Sequence, residues 1–484
     1  MKKIITISVL LVATFSLKAQ YITPNNGQYY NLDSLVLNSG GAVTKSAGTY
    51  FFMQDVKLSK TDTLEILTNE TIIMGSDVEL ELTGFAHFNP TDSLKITNTP
   101  NQTYAAIRID STNSIIRKTI LEFGEGIGIY DASPLIDSCT IRNNANGTRG
   151  AVNLFRSNAT IQNSKIYDNR SSAISSGANI VSVPKILNND IRRNVTYNGN
   201  RSQISLGTSG NDTILIKGNT IVGKYTNAGA IAFLPIGVVQ VIIEDNFIDS
   251  NRYGIGMLSG GITSLIKGNT ITNNNIQGNP NLGGSGINFA GSSSNTAIVT
   301  NNIITGNLWG VTIQNNAQPN LGDLRPSQES PGLNVIKDNF NSGIEYNLFN
   351  NTPDSIYAQN NDWGRLTKIS SDSTIVDKTD DPTLGVVLSS PINVVTTSVN
   401  EAFNQNDNLS FFPNPAFNAV TVINKGQNDL SQINLFSLMG ELVFTFDLRL
   451  NQSKILDVST LPKGLYFLMY TEKGTLISKK LIIN

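Results

Sequence analysis

The chain has 484 residues, enough for two or three ordinary domains or one long repetitive one. Its formal net charge of −2 gives no basic field for nucleic acid and no polybasic patch for a membrane surface. Charged residues are only 15% and aromatics 7%, while Asn fills about one position in eight, so with Ile, Val, Thr and Gly the chain uses the vocabulary of short strands and tight turns rather than of helices.

Residues 1–19 read as a secretory signal peptide. Two lysines precede an apolar run from Ile4 to Leu17, and Ala19 offers a small residue for cleavage. That run is too short to span a bilayer, and no later stretch is long enough, so the chain reads as not transmembrane. The single cysteine, Cys139, rules out an intramolecular disulfide and reads as a small buried hydrophobe. Residues 20–48 read as the N-terminal cap of a long repetitive domain. The stretch "YFFMQDVKLSKTDTLEILTNETIIMGSDVELELTGFAHFNPTDSLKIT" then alternates apolar and polar residues, which predicts strands.

From residue 115 a repeat emerges. One apolar slot is filled by Ile120, Ile141, Ile166, Ile191, Ile221, Ile248, Ile271, Ile304 and Phe349. Five residues before each stands Ile115, Ile136, Ile161, Ile186, Ile216, Ile243, Ile266, Val299 or Ile344. Asn stands two before the slot at 189, 219, 246, 269, 302 and 347, and three after it at 144, 169, 194, 251, 274 and 307. Cys139 is expected on the second of these asparagine columns. A third apolar column comes at variable distance (Val152, Ile174, Ile231, Ile255, Ile287, Val311), with a partner two residues later that marks a strand. No copy can bury its own apolar residues, but stacked copies can, which is the logic of a solenoid. Strands this short with turns this rich in Asn and Gly predict a parallel β-helix over residues 49–388. Like residues then stack about 4.8 Å apart, and inward amides form ladders from coil to coil. The stretch "AQPNLGDLRPSQESPG" (317–332) reads as a projecting loop.

This pattern resembles the right-handed parallel β-helix repeat proteins, a group that includes pectate lyases and the nitrous-oxide-reductase accessory copper proteins. The closing run "NNTPDSIYAQNNDWG…DDPTLG" looks like that of secreted members from the Bacteroidota. Residues 389–408 are polar and read as a linker.

The C-terminal segment, 409–484, carries "LSFFPNPAFNAVTV", "INLFSLMGELV" and "LDVSTLPKGLYFLMYTEKG". Short alternating strands and glycine turns suit a small β-sandwich, so the fold class is all-β: a solenoid followed by a sandwich. The segment resembles the type A sorting domain of the type IX secretion system, through Pro413, Asn414, Pro415, Gly440, Leu461, Gly464, Leu465, Tyr466 and the pair Lys479-Lys480. The resemblance implies the type IX translocon as partner, export across the outer membrane, removal of the domain, and release or attachment at the cell surface.

Little else carries chemistry. His87 is the only histidine, which argues against a Ser-His-Asp or Cys-His triad and against a His/Cys metal site. The resemblance implies that a lyase on this fold would pair Ca²⁺ held by carboxylates with an Arg or Lys base. The nearest such set is Arg192, Arg193, Glu244, Asp245 and Asp249, which also suits a solvated face. The outward positions past the third column (Asn153, Ser175, Ala232, Gly256, Asn288, Thr312) read as a small, uncharged face without an aromatic platform. Lys217, Glu244 and Lys267 read as an ion ladder on consecutive coils. Turn insertions at 192–203, 222–229 and 272–286 should project from one edge, with Tyr197 and Tyr225 as candidate glycan contacts. Asp-Ser/Thr-apolar triplets begin at Asp33, Asp62, Asp92, Asp212 and Asp354 and resemble an O-glycan acceptor motif of exported Bacteroidota proteins. The chain thus reads as an exported, non-catalytic adhesion or glycan-binding protein without a cofactor, with extracellular polysaccharide as a partner. The alternative is a polysaccharide lyase or epimerase, the one case in which Ca²⁺ enters.

Overall fold

The computed structural model describes residues 20–98, 102–326, 330–394, 408–426, 428–438, 440–472 and 475–484. Residues 1–19, read from sequence as a signal peptide, most of the expected linker and Met439 lie outside the described residues. The chain divides into two units, 1–395 and 396–484.

The first unit is a parallel β-helix. Each coil contributes one strand to each of three long sheets, called faces A, B and C in the order the chain visits them. Face A has 14 strands, face C 13 and face B 12. Parallel stacking suits these strands because their inward side chains are Ile, Leu, Val and Phe, which pack directly over their counterparts one coil away. On face C one inward column runs Tyr50, Ile72, Ile96, Leu121, Ile141, Ile166, Ile191, Ile221, Ile248, Ile271, Ile304, Ile336, each in register with the next. From Ile141 to Ile336 every member is fully buried.

The predicted repeat holds in its middle and slips at both ends. In the first copy the inward residues are Ile116 and Leu121; Ile115 and Ile120 lie one step away and face outward. A one-residue slip moves a strand residue to the other side of the sheet, and an Ile-Ile or Ile-Leu pair cannot show which member turns in. In the last copy the slot belongs to Ile336. Phe349 stands on face A, and Ile344 is exposed on an antiparallel hairpin, Phe340–Asn341 with Ile344–Glu345, inserted before the coil resumes. The third column also gains a member, Ile204, between Ile174 and Ile231. The stretch 317–332 is not all loop: Gln318–Asn320 is a face B strand, Ala317 and Leu321 are buried, Gly322 pairs in parallel with Ala358, and buried Asp323 pairs with buried Ser330.

The corners explain the asparagines. At both the B-to-C and the C-to-A corner the turn is made by a residue in the left-handed conformation, such as Asn188 (φ 54°), Asp245 (φ 56°), Gly268 (φ 67°) or Asn273 (φ 53°). The next residue points inward and bonds along the axis. Asn219, Asn246 and Asn269 show the pattern: the backbone amide and Nδ2 of each donate to Oδ1 of the next at 2.9–3.0 Å, and Nδ2 also donates to a carbonyl on the preceding coil. The first ladder runs from Ser164 through Asn189 to Asn334 and Asn361. Cys139 belongs to this ladder, not the second, and its amide bonds Ser164 Oγ at 3.0 Å. The second ladder runs from Asn144 through Asn339 to Asn347, which stands here and not on the first ladder as its offset from Phe349 predicts, and it has no asparagine three after Ile221. Gln203, fully buried on a face A strand, fills that gap: it accepts from Asn194 and donates to Asn251.

Both ends are covered, as an open stack of strands requires. Parallel pairing begins already at Gln20–Ile22 and Tyr29–Tyr30. The helix Leu32–Asn38 and the antiparallel hairpin Val43–Ser46 with Thr49–Phe52 close this end. At the other end the closing strands Ile356–Tyr357, Ile375–Val376 and Val387–Leu388 and the helix Lys368–Asp372 enclose a fully buried Trp363.

The second unit is a small antiparallel β-sandwich. A three-stranded sheet (Leu409–Phe412, Ala419–Asn424, Ser453–Asp457) and a four-stranded sheet (Leu430–Ser437, Leu442–Leu448, Gly464–Glu472, Thr475–Ile483) share a core. Leu409, Val420, Val422 and Leu456 from one meet Ile433, Leu435, Leu468 and Tyr470 from the other.

Candidate functional site

Face A alternates inward apolar residues with outward residues that line up along the axis. In register outward stand Asn153, Ser175, Ser205, Ala232, Gly256, Asn288, Thr312 and Phe349. The small face expected from sequence is therefore present, with Ser205 filling the missing coil. The expectation that it lacks an aromatic platform is not met. Trp309, at the start of the strand Trp309–Gln314, lies 5.6 Å from the Phe349 ring at an interplanar angle of 26° and 4.7 Å from the Tyr346 ring. Phe349 is hidden in the sequence because its offset from Ile344 matches the spacing of the core residues.

Trp309 and Phe349 form one wall of a groove of about 410 Å³ on the late coils. Its floor is Ser285, Asn288 and Thr312. Thr312 Oγ1 lies 2.9 Å from Ser285 Oγ and donates to Asn288 Oδ1 at 3.0 Å, which leaves the Asn288 amino group available. Gln314 and Asn351, paired in register on adjacent coils, also line the groove, and neither side chain has a hydrogen-bond partner among the described residues. The second wall is the 278–284 segment of the C-to-A insertion. Trp309 Nε1 donates to Pro280 O at 3.1 Å, and Arg252 ties the segment down through Leu282 O and Asn200 Oδ1, both at 2.6 Å. Tyr253 lies across Gly229, where any Cβ would collide with its ring, and bonds Ser202 at 2.8 Å. Burial pushes the Tyr253 hydroxyl above its ordinary range, against the Ser202 hydrogen bond, so it stays neutral. Arg252 is the only charged side chain lining the groove.

The sequence candidates fall elsewhere. The insertions 192–203, 222–229 and 272–286 all link face C to face A, so they do project from one edge. Their tips are laced by amides: Asn227 N donates to Asn198 Oδ1 at 2.9 Å, and Gln277 Nε2 to Asn227 Oδ1 at 3.0 Å. Tyr197 (39% exposed) and half-buried Tyr225 stand on this rim without lining the groove. Arg192 and Asp249 share face C with Val222 between them. Asp245 sits at a corner and Glu244 on face B. Each is engaged. Arg192 pairs with Asp190, Arg193 makes two bonds to Asp168 at 2.8–2.9 Å, and Lys217 lies 2.8 Å from Glu244 and 3.6 Å from Asp245. Asp249 accepts from Ser250, Thr272 and Asn273. The structure thus does not gather these residues into one cluster. Among the described residues no group of three or more His, Cys, Asp or Glu converges as a metal site, so no Ca²⁺ site is assigned. A second cavity, about 420 Å³ beside the N-terminal cap, has its one lysine engaged: Lys45 Nζ lies 2.8 Å from Asp33 and 2.7 Å from Tyr50 OH, while Glu65 pairs with His87 and Glu70 accepts from Thr68.

In the sandwich, the sorting residues clamp the last strand. Asn414 Nδ2 donates to Lys480 O at 2.9 Å and Asn414 Oδ1 accepts from Ile482 N at 2.8 Å, between Pro413 and Pro415. Gly440 (φ 81°) makes a turn, Gly464 opens the strand opposite Ile483, and buried Tyr466 donates its hydroxyl to Pro462 O at 2.7 Å. Among the described residues no helix is long and apolar enough to cross a membrane.

Comparison with known families agrees with this architecture. Residues 86–234 match the right handed beta helix region, residues 239–368 match a protein family of unknown function (DUF1565), and residues 410–484 match the secretion system C-terminal sorting domain. No curated protein matches the chain. The molecule is therefore a right-handed parallel β-helix carrying a C-terminal sorting domain, which marks it for handling by the type IX secretion system and for export to the cell surface or the medium.

Proposed function

We propose that this exported β-helix protein is a non-catalytic glycan binder, displayed on the surface or released, and that the groove on the late coils of face A is its binding site. The observation that carries the reading is the Trp309–Phe349 platform opposite the unpaired amides of Gln314 and Asn351. A sugar ring has C–H faces that stack on aromatic rings and edge hydroxyls that bond side-chain amides. A concave site that offers both, with walls fixed by Arg252 and the rim amides, is preorganised for such a ligand. The dispersal and pairing of Arg192, Arg193, Asp245 and Asp249 favour binding over turnover. Binding of the full chain to a glycan array, lost in Trp309→Ala and accompanied by no unsaturated uronate absorbance, supports the proposal. Product formation abolished by Arg192→Ala or Asp245→Ala would overturn it in favour of a lyase. The absence of any array ligand would also overturn it.

A further inference from the structure

We infer that the groove takes a neutral polysaccharide chain and excludes uronate and sulfated polymers; this rests on the reading of the groove as a glycan site. Charge is the first reason. A polyanion is held by unpaired Arg or Lys presented for bidentate bonding, and a polycation by carboxylates. No carboxylate lines the groove. Its one cation, Arg252, bonds Leu282 O and Asn200 Oδ1 within its own walls, so its task is to position the 278–284 segment rather than to meet an anion. Cations elsewhere on the solenoid, Arg192, Arg193 and Lys217, face their own carboxylates. The groups left to a ligand are uncharged: the Asn288 amino group and the amides of Gln314 and Asn351.

Layout is the second reason. Along the strand Trp309–Gln314 the outward residues are Trp309, Thr312 and Gln314. The next coil places Phe349 beside Thr312 and Asn351 beside Gln314. The platform therefore lies on one side of the floor and the amides on the other, so a ring stacked on Trp309 and Phe349 turns its hydroxyl edge toward Gln314 and Asn351.

Length is the third. The groove is lined from three successive coils of face A, by Asn288, Thr312 and Phe349, which stand in register, so it runs about 10 Å along the axis. That length suits a chain of sugars rather than a single one.

The test is affinity electrophoresis of the full chain in gels containing a neutral β-glucan, a mannan, a xylan, polygalacturonate or alginate, each at low and high salt. The expected result is retardation by at least one neutral polymer, insensitive to salt. Trp309→Ala should weaken it about tenfold or more, Trp309→Phe less, and Gln314→Ala with Asn351→Ala to an intermediate extent, with circular dichroism confirming that each variant folds. Retardation only by polyuronates, fading as salt rises, refutes the neutral class while leaving glycan binding intact. Retardation unchanged by Trp309→Ala removes the groove from the account. No retardation by any polymer removes the glycan reading itself.

Discussion

Replacing Asn246 with alanine should break the first amide ladder in the middle of the solenoid. The side chain is 1% exposed. Its Oδ1 accepts the Asn219 amide and the Asn219 Nδ2, both at 2.9 Å, and its Nδ2 donates to Ile216 O, Glu244 O and Asn269 Oδ1. Alanine leaves the buried Asn219 N–H without its acceptor, which costs about 1–3 kcal/mol. The other lost bonds and the small void add a similar amount, for a total of about 2–6 kcal/mol. Asn246→Ser should recover at least ~1 kcal/mol of this, because a serine already serves the same ladder: Ser164 Oγ takes the Cys139 amide at 3.0 Å. Repeats contact chiefly their neighbours, so the damage should be local. Urea unfolding of the full chain gives the magnitude, and hydrogen exchange should show protection lost around residues 219–269 before either end. A loss under ~0.5 kcal/mol, or alanine and serine variants of equal stability, would refute the claim that the ladder amides are indispensable partners rather than turn formers.

Three further outcomes are expected at individual sites. Asp62 is buried; burial raises its pKa, but hydrogen bonds from Thr23 and the backbone amides of Asn25, Gln28 and Asn26 outweigh that and hold the carboxyl below its ordinary range. A depressed folded-state pKa gives stability that is present above the ordinary carboxylate range and is lost as pH falls through the folded value. Residues 20–30 should therefore gain exchange and protease sensitivity in acid, and Asp62→Asn should expose them already at neutral pH; equal protection in both proteins across that range refutes the assignment. Burial pushes the Cys139 thiol up to about 12, so iodoacetamide should leave native protein unlabelled and modify it only after unfolding; rapid native labelling contradicts the buried placement. Deleting residues 409–484 should strand the remainder in the periplasm, read by cell fractionation, whereas normal export of the truncated chain would show that another signal directs it.

Sequence alone determined the solenoid. A column of isoleucines at constant offset from two asparagine columns has one economical physical explanation: like side chains stacked on neighbouring coils. The middle copies, Ile141 to Ile304, stand where that explanation puts them. The sorting tail was legible as well, through its alternating strands and its resemblance to a sorting domain at Pro413-Asn414-Pro415, although the grip of Asn414 on the last strand was not. The ends of the repeat were not, because adjacent apolar residues such as Ile120 and Leu121 satisfy the same pattern and only packing decides which turns inward. Nor was the role of Gln203, a strand residue that completes a corner ladder from the side. The groove lay furthest from view. Trp309, Phe349, Gln314 and Asn351 share no period, and the inserted hairpin at 340–345 conceals the offset between the two aromatic residues. A solenoid repeat encodes the inward columns strictly and the outward residues hardly at all, so the core can be read along the chain while a surface site exists only once coils from distant segments lie side by side.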